Sequence, residues 1–591
     1  MFTQSSLQKL TVHNCPQLTH FIISTTIQEL VFGEMTNEQL SNLYSCKYEE
    51  LEQDQSSSQH LPLPICFPNL ILIDLWGCES LKSLFPIIVA QGSVKKLNVP
   101  NLQTLKIERC FGMEEIIQDS QVSTLSFQCL RELQVTKCNK LKFLFPMCVT
   151  NSLGKLKTLK IERCFGMEEI IQDSQVSTIS FQCLREVQVT HCNNLKFLFP
   201  MCVANSLGKL QTLKIERCFG MEEIIQDSQV STISFQCLRE VQVTHCNNLK
   251  FLFPMCVANS LRQLQTLKIE SCSQLKDIIH GPEVLTSMAQ GLVQLNEVEL
   301  INLPQLKEND RNNIVLTSPS LSKLNVRDCP QLTHLIVSTN IKELEFSKMT
   351  GMKQISNVTN PERRGRTSTS APIQVEHFQN LTHLTVKDCK RLRYIFSPTI
   401  ARNLPQLVWL NISDCEELEQ IIEKDQTPSQ HHLQPICFPK LSWIRIFNCE
   451  NLKCLFPITL AHGSLQNLFQ LFLQRVSKLE QVFEGDESNG SKDEEKVIHL
   501  PRLAELYLCI LPNLVSFSPV GYHFVFPSLI NLHLKGCPNV TTRFSIDSKQ
   551  SVHAKTQASQ SVDEIIVEES AAAQETAWPI GSDIWWRKGK Y

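Results

Sequence analysis

The sequence of 591 residues has little of what many large proteins are rich in. It contains 19 glycines, and none of the spacings G-x-x-x-x-G-K-[ST], G-x-G-x-x-G or G-x-S-x-G, which cradle phosphates or expose a nucleophilic serine, occurs. The formal net charge is −3, so no overall field draws the chain toward nucleic acid or an anionic membrane. No run of about 18 apolar residues is present, as a membrane-spanning helix requires. We therefore expect no enzyme activity, no cofactor or metal, and no nucleic acid, membrane or small-molecule substrate as partner.

The 25 cysteines are too regularly placed for the disulfide framework of a small secreted domain. Many of them, from Cys15 to Cys537, follow a predicted strand at the same position. No C-x-x-C pair occurs, although zinc sites usually contain one. The first residues, MFTQSSLQKLTVHNC, also lack the basic and apolar segments of a secretory signal. We therefore expect buried, reduced thiols in a protein of the cytoplasm or the nucleus.

One stretch of sequence occurs almost unchanged three times. LKTLKIERCFGMEEIIQDSQ begins at Leu156, and LQTLKIERCFGMEEIIQDSQ begins at Leu102 and Leu210, so the spacing is 54 residues in both cases. Inside this period the pattern L-x-x-L-x-[VI]-x-x-C-x-x-[LM]-x-x-[LI]-[FI] occurs twice, which gives a repeat length typical of leucine-rich repeats. We therefore predict an α/β solenoid: a leucine-rich-repeat horseshoe with a parallel β-sheet on the concave face and short helices or loops on the convex face.

Each repeat predicts a short strand with two faces. In LREVQVTHC, Val187 and Val189 point to the core, while Gln188 and Thr190 point outward. Two interpretations of the outward face stay open: a solvated ladder, in which each lysine has a glutamate two residues further on, and a regular polar surface that binds a protein. The residues predicted to form this surface are Lys106, Glu108, Arg109, Lys160, Glu162, Arg163, Gln188, His191, Lys214, Glu216, Arg217, Gln242 and His245.

Differences between repeats divide the chain into four segments. We predict N-terminal repeats with an uncapped start over residues 1–90, tandem repeats with the 54-residue period over 91–300, and C-terminal repeats over 301–545. Loop insertions are predicted near 354–377 and 484–499, in NPERRGRTSTSAP and EGDESNGSKDEEK. Residues 546–591 have few apolar positions and are predicted to form a disordered tail. In the tandem repeats, Pro200 is expected to begin a short helix, and the segments after MEEII are expected to be loops.

The repeats resemble those of a known family. L-x-x-L-x-V-x-x-C-x-x-L-x-x-L-F-P followed by L-x-x-L-x-I-x-x-C-x-x-M-E-E-I-I, with CNNLKFLFP, CENLKCLFP and CEELEQIIEKDQ, is similar to the C-terminal repeats of plant coiled-coil, nucleotide-binding, leucine-rich-repeat (NLR) disease-resistance proteins. The resemblance extends from Leu7 to about Phe544. It implies a sensor without catalytic residues, which recognises a pathogen effector or a modified host protein and holds the nucleotide switch inactive until it does.

The nucleotide-binding module of that family has no counterpart in these 591 residues, because no phosphate loop occurs. The leading hypothesis is therefore a non-catalytic protein-recognition scaffold in plant defence, whose partner is an effector, a guarded host protein or a nucleotide-binding receptor module. Two alternatives stay open. One is the substrate receptor of a ubiquitin ligase, whose repeats also carry cysteine at this position, and the other is a truncated, non-functional receptor fragment.

Overall fold

A computed structural model of the chain describes most of the repeats. By their internal packing the residues form two units, Met1–Leu295 and Asn296–Tyr591. The described residues are 7–15, 26–35, 65–85, 88–90, 93–95, 97–117, 127–145, 153–172, 181–200, 206–226, 235–254, 257, 260–280, 292–307, 315–332, 334–352, 354–357, 378–424, 436–485, 496–556, 576–577 and 583–588.

The first unit contains a sheet of parallel five-residue strands, one from each repeat. Neighbouring strands pair in register, so that Leu159 lies beside Val187 and Ile161 beside Val189. This arrangement confirms the predicted leucine-rich-repeat solenoid. The paired strands, in chain order, are Lys9–His13, Glu29–Gly33, Leu72–Trp76, Thr104–Glu108, Glu132–Thr136, Thr158–Glu162, Glu186–Thr190, Thr212–Glu216, Glu240–Thr244 and Thr266–Glu270.

The second unit repeats the same arrangement with more varied sequences. Its parallel strands also pair in register, as Leu410 with Ile444 and Ile412 with Ile446 show. The parallel strands, in chain order, are Glu297–Ile301, Lys323–Arg327, Glu343–Ser347, His383–Lys387, Trp409–Ser413, Trp443–Phe447, Gln470–Gln474, Glu505–Cys509 and Asn531–Lys535.

The sequence TLKIERC explains both the strand and the bend that ends it. Leu159 and Ile161 alternate along the strand and are at most 1% exposed, so the side chains between them face outward. At the bend, the Sγ of Cys164 donates to the carbonyl of Glu162 at 3.5 Å and to the carbonyl of Val135, in the preceding repeat, at 3.8 Å. A weak donor thus satisfies backbone acceptors at the bend and links consecutive repeats. The described cysteines are free thiols, as predicted, but not all of them are buried: Cys129, Cys183 and Cys237, for example, are half-buried.

Short strands follow the bend, where the sequence predicted only helices and loops. Phe197–Phe199, for example, pairs in parallel with Glu223–Ile225, because the second apolar run of each repeat also stacks on its neighbour. The other such pairs are Ser83–Phe85 with Glu115–Ile117, Phe251–Pro254 with Asp277–His280, His334–Val337 with Gln354–Asn357, Tyr394–Phe396 with Gln420–Ile422, and Cys454–Pro457 with Gln481–Glu484. Two further short pairs are Ile65–Cys66 with Leu97–Asn98, and Ile88–Ala90 with Ser93–Lys95.

Helices form at Pro398–Ala401 and Ile458–Gly463. In the first, proline occupies the initial helical position and Ser397 caps the helix, its Oγ accepting from the N–H of Ile400 at 3.4 Å. This is the role expected of Pro200. The residues that would carry that predicted helix, 201–205, and the predicted loop 173–180 lie outside the described residues.

The predicted insertions are shorter than expected. Residues 358–377 and 486–495 lie outside the described residues, as do residues 1–6 at the predicted uncapped start. The loop prediction is wrong at Gln354–Asn357 and Lys496–His499, which are strands paired in parallel with His334–Val337 and Tyr522–Phe526. The segment boundaries near residues 90 and 300 stay predictions.

The segment predicted to be a disordered tail contains paired strands. Val552–Thr556 pairs antiparallel with Thr542–Ile546 and with Tyr522–Phe526. Ile584–Arg587 pairs antiparallel with Asn531–Lys535, the last parallel strand of the sheet. Two residues, Thr576–Ala577, add to the antiparallel group.

The prediction of disorder over 546–591 is therefore wrong for these strands. Their apolar positions alternate: Val552 and Ala554 are fully buried, and Ile584 and Trp586 are 4% and 8% exposed. An alternation of only four or five residues is enough to form a paired strand here, because the open edge of the sheet offers unpaired backbone groups. Residues 557–575, 578–582 and 589–591 lie outside the described residues.

Candidate functional site

The residues predicted to bind a partner lie along one face of the sheet in the first unit, and we call them the charged surface. Lysine or glutamine occupies the third strand position, glutamate the fifth, and arginine or histidine the position directly after the strand. All are half-buried or exposed. Their role in binding stays a prediction. The members are Lys106, Glu108, Arg109, Lys160, Glu162, Arg163, Gln188, His191, Lys214, Glu216, Arg217, Gln242 and His245.

The charges of this surface pair with one another. Lys160 Nζ lies 3.4 Å from Glu186 Oε1 on the next strand. The glutamate two residues after the lysine, the partner expected from the sequence, instead contacts the adjacent arginine: Arg163 Nε lies 3.6 Å from Glu162 Oε1. Glu186 lies diagonally across from Lys160, whose direct neighbour on the next strand is Gln188. Diagonal neighbours, roughly 7–8 Å apart, are still within reach of long side chains, and Glu162 is engaged by Arg163, which directly follows it. The equivalent pairs are Lys214–Glu240 at 3.0 Å, Arg217–Glu216 at 3.6 Å and Arg109–Glu108 at 3.3 Å.

Small residues on this face are covered by the longer side chains beside them. Thr190, expected to point into solvent, is only 8% exposed, because Glu162 and Glu216 flank it on the neighbouring strands. The Nε2 of His191 lies 3.2 Å from Arg217 Nη1, and its Nδ1 is buried without a hydrogen-bond partner among the described residues. The chemistry that this surface exposes is therefore that of lysine, arginine and glutamate.

The residue directly after each strand has an unusual backbone conformation. Arg163, His191 and Arg217 have φ angles of 55°, 56° and 53°. This left-handed region costs an ordinary L-residue about 1–2 kcal/mol. The turn is held by the backbone, since the N–H of Arg163 donates to the carbonyl of Thr190 at 2.8 Å. The bend therefore fixes the direction in which each arginine or histidine leaves the sheet.

The corresponding face of the second unit carries different side chains, which the sequence analysis did not single out. Aromatic residues occupy outward positions on consecutive strands from Trp409–Ser413 to Ile584–Arg587. The alternation in WIRIF, QLFLQ, ELYLC and NLHLK contains this signal, but the repeats there are too divergent to align by letter. We call the following residues the aromatic surface: Trp409, Trp443, Arg445, Phe472, Tyr507, His533 and Trp585.

The rings of the aromatic surface contact one another from strand to strand. The centroids of Trp409 and Trp443 are 5.7 Å apart. Farther along the sheet, Tyr507 lies 4.6 Å from His533, which lies 4.2 Å from Trp585. The first two separations fall in the favourable range for aromatic pairs, and the third lies just below that range. Trp585 itself is 81% exposed, so this row of rings continues to the edge of the sheet.

Arg445 joins the two groups of rings. Its Cζ lies 5.9 Å from the ring centroid of Trp409 and 5.5 Å from that of Phe472, which in turn lies 5.6 Å from Tyr507. These distances are within the range of a cation–π interaction. Arg445 is exposed, and no carboxylate of the described residues forms an ion pair with it. Its guanidinium is therefore oriented by rings and not by an acid.

Polar atoms beneath the rings are incompletely paired. Gln470 is 7% exposed, and its Nε2 donates to a carboxylate oxygen of Glu505, which also accepts from Asn531 Nδ2 at 3.4 Å. Because the carboxylate needs a donor, the atom of Gln470 that is left over is its oxygen. Gln470 Oε1 and Asn411 Oδ1 are buried acceptors without a donor in the described part of the chain. Burial lowers the pKa of His533 despite the nearby Glu505, which favours a neutral ring.

The described residues contain no group of three or more His, Cys, Asp or Glu arranged to hold a metal ion. In the same residues, no helix has the length and apolar character needed to cross a membrane. One chain of titratable groups occurs: His523 Nε2 lies 2.8 Å from His553 Nδ1, and His553 Nε2 lies 3.2 Å from Asp547 Oδ2. It joins the antiparallel strands Tyr522–Phe526 and Val552–Thr556, so its geometry has a structural explanation.

Comparison with known proteins finds similarity to plant disease-resistance proteins. The family described as plant disease resistance protein RPS2-like, leucine-rich repeats, matches residues 91–165, 166–219, 221–350, 339–416 and 416–554. The chain is 25% identical over 323 residues to Protein SUPPRESSOR OF npr1-1, CONSTITUTIVE 1 of Arabidopsis thaliana, a match that covers 54% of this chain and 18% of that protein. It is 25% identical over 187 residues to Probable disease resistance protein At4g27220 of the same species, covering 32% and 16%.

Among solved structures, YopM from Yersinia enterocolitica WA-314 covers 77% of this chain and 85% of its own, at 14% identity and a TM-score of 0.30. The chain spans 18% and 16% of the lengths of the two curated relatives that it matches. The family matches extend from residue 91 to residue 554, well over half of the sequence. The chain therefore belongs to the family of plant disease resistance protein RPS2-like leucine-rich repeats.

Proposed function

We propose that this chain is a non-catalytic protein-recognition scaffold of the plant defence response. It senses a pathogen effector or a guarded host protein, or it regulates a nucleotide-binding receptor module, in the cytoplasm or the nucleus. Membership of a disease-resistance repeat family supports a defence-related role in protein interaction. The names of the two curated relatives, one of them a probable disease resistance protein, support the same assignment.

The observation that carries this proposal is the constant register of the sheet within each unit. Core positions such as Leu213 and Val241 lie side by side and are fully buried, whereas the outward positions between them differ from region to region. A rigid backbone with variable outward side chains suits the binding of a protein, because few side chains need to be ordered on binding. Solenoids generally use such extended faces as binding surfaces.

Proximity labelling in plant tissue tests the proposal. The chain is fused to a labelling enzyme and expressed in tissue with and without pathogen challenge. We expect immune receptors, guarded host proteins or effectors to be enriched over the labelling enzyme alone. Recovery of none of these classes contradicts the proposal.

A matched control separates recognition by the folded repeat from unspecific labelling. Val241→Asp places a charge at a fully buried core position, which destabilises the surrounding repeats strongly. We expect this variant to lose the enrichment. Equal enrichment with the variant would mean that the recovered proteins do not recognise the sheet.

A further inference from the structure

We propose that the aromatic surface of the second unit binds an extended acidic segment of a partner protein. This inference rests on the proposed function and adds to it a location and the chemistry of the partner.

The row of aromatic rings is half-buried along most of its length and exposed at Phe469 and Trp585. Trp585 is 81% exposed and Phe469, whose ring centroid lies 4.9 Å from that of Trp443, is 37% exposed. Contiguous exposed apolar surface usually marks a contact site. Tryptophan, tyrosine and arginine, which alternate here, are also the residue types that contribute most to binding energy at protein interfaces.

The charge of this region favours an acidic partner. The strands from Trp409–Ser413 to Ile584–Arg587 carry Arg445, Lys535, Arg587 and one acid, Glu505. Two acids flank these strands and are already engaged: Asp414 accepts from Asn448 Nδ2, and Asp583 accepts from the N–H of Gly536. Glu505 is already engaged by two side-chain amides, so the basic groups are in excess. Charge complementarity across an interface then selects a segment with aspartate or glutamate.

Arg445 supplies the specific contact. The rings of Trp409 and Phe472 hold its guanidinium in place, so little side-chain freedom remains to be lost on binding. A guanidinium presents its donors in a fixed planar fork that fits a carboxylate with two parallel hydrogen bonds. An incoming carboxylate can therefore dock on Arg445 while neighbouring apolar side chains of the same segment contact Trp443 and Tyr507.

Two acceptors on the strands beside Arg445 lack a donor among the described residues. Gln470 Oε1 and Asn411 Oδ1 are buried and lack a donor in the described residues, which costs free energy as long as no donor arrives. An extended polypeptide carries backbone N–H groups at regular intervals. A backbone N–H reaches these buried oxygens only if the side chains around them move aside, whereas the donors of the exposed Arg445 are open to an acidic side chain from the start.

The size of the surface sets the length of the segment. Six consecutive strands about 4.8 Å apart span roughly 24 Å. An extended chain covers about 3.3 Å per residue, so about seven residues cross the surface. A short acidic segment with one or two apolar residues therefore fits the whole row.

A display library of random twelve-residue peptides, selected on the full chain at physiological salt, tests the proposal. We expect the selected peptides to be enriched in aspartate and glutamate together with apolar residues. Binding of a selected acidic peptide is then measured by fluorescence anisotropy. Arg445→Met, which keeps the packing between the rings and removes the charge, should weaken binding at least tenfold, as expected for one charged hydrogen-bond pair.

Two further variants test whether the peptide binds the aromatic surface or the charged surface. Trp585→Ala should weaken binding about fivefold, because it removes an exposed ring at the end of the row. Lys160→Met is the matched control, since Lys160 occupies the same third strand position on the charged surface, and should leave the affinity unchanged. Thermal unfolding of each variant, close to that of the unaltered chain, excludes a loss of fold.

Several results would overturn the proposal. Selected peptides without an excess of acids, or a loss of binding with Lys160→Met equal to that with Arg445→Met, would do so. So would a preference for a single-stranded RNA probe, or self-association that Trp585→Ala abolishes, because the occupant would then be a nucleic acid or a second copy. The selection needs no plant partner, so its failure leaves the proximity-labelling result, and with it the proposed function, standing.

Discussion

The charged surface and the aromatic surface occupy the same face of the same type of repeat, yet they differ in how their side chains are satisfied. On the charged surface, Lys160 pairs with Glu186 of the next strand and Arg163 with the glutamate beside it. On the aromatic surface, Arg445 stacks between two rings and forms no ion pair with a carboxylate of the described residues. Among those residues each surface keeps a buried polar atom without a partner, His191 Nδ1 on the first and Gln470 Oε1 on the second, so the difference between the surfaces lies in the pairing of their charges.

We infer from this difference that the regularity of the repeats and the side chains available to a partner are separate properties of the chain. The 54-residue copies repeat the same outward residues, so the charges that pair in one copy pair in the next. The divergent repeats of the second unit keep an apolar core, with Ile444 and Val476 in place of leucine and cysteine, and change the outward positions more widely. Function on a shared fold depends on such local substitutions. Sequence regularity therefore indicates the scaffold, whereas its loss marks the outward positions that differ between the two units.

The largest effect is expected from two neighbouring tryptophans, of which one belongs to the core and the other to the aromatic surface. Trp586 is 8% exposed and Trp585 is 81% exposed on the same strand. Trp586→Ala should lower the local stability of this strand and of Asn531–Lys535 by about 3–5 kcal/mol, because it leaves a cavity in the core. Hydrogen exchange of the backbone amides in both strands measures the loss.

The matched control is Trp585→Ala. It should change the local stability by less than about 0.5 kcal/mol, since an exposed side chain contributes little to folding. Its effect should be confined to the binding of the acidic peptide. Equal acceleration of hydrogen exchange by both substitutions would contradict the assignment of Trp585 to the aromatic surface and Trp586 to the core.

The scaffold could be predicted from the sequence because its signal is repeated many times. The period of Leu156, Leu159 and Ile161 fixes the strand, and Cys164 fixes the bend, so an error in one repeat is corrected by the others. The outward direction of Lys160 followed from alternation alone. Its partner did not, because Glu186 lies on the next strand and only the register of the sheet brings the two together.

The aromatic surface and the last strands were missed for a different reason. Trp443 and Tyr507 are separated by 64 residues in sequence, and only the intervening strand, which carries Phe472, makes them part of one row. Ile584–Arg587 is a short alternation after a polar stretch, without a repeat to support it. Its pairing depends on the open edge at Asn531–Lys535, a feature of the folded sheet.

A moderate effect is expected at the residue that follows the strand Glu505–Cys509. Ile510 has a φ of 57°, which is a genuine outlier for a β-branched residue. The preceding repeats use other residues at this position, among them Asn448 with a φ of 54°. Ile510→Asn should therefore stabilise the strand by about 1 kcal/mol, because asparagine tolerates the left-handed region. Hydrogen exchange of Glu505–Cys509 measures the gain.

Ile530→Asn is the control for this change. Ile530 and Ile510 are both 42% exposed, so the two substitutions remove similar apolar surface, but the φ of Ile530 is not positive. We expect no gain in stability from Ile530→Asn. A gain of the same size at both positions would show that lower surface hydrophobicity, and not relief of backbone strain, is the cause.

The smallest effect is expected within the charged surface itself. A double-mutant cycle of Lys160→Met and Glu186→Gln should give a coupling free energy of about 0.2–1 kcal/mol, because both groups are well exposed to water. At about 1 M salt the coupling should approach zero, since the screening length falls to roughly 3 Å. Lys214 and Glu240 form the same pair one copy later and should give the same values. A coupling that exceeds this range and persists in high salt would mean that the pair is shielded from water, and that the charged surface is more than a solvated ladder.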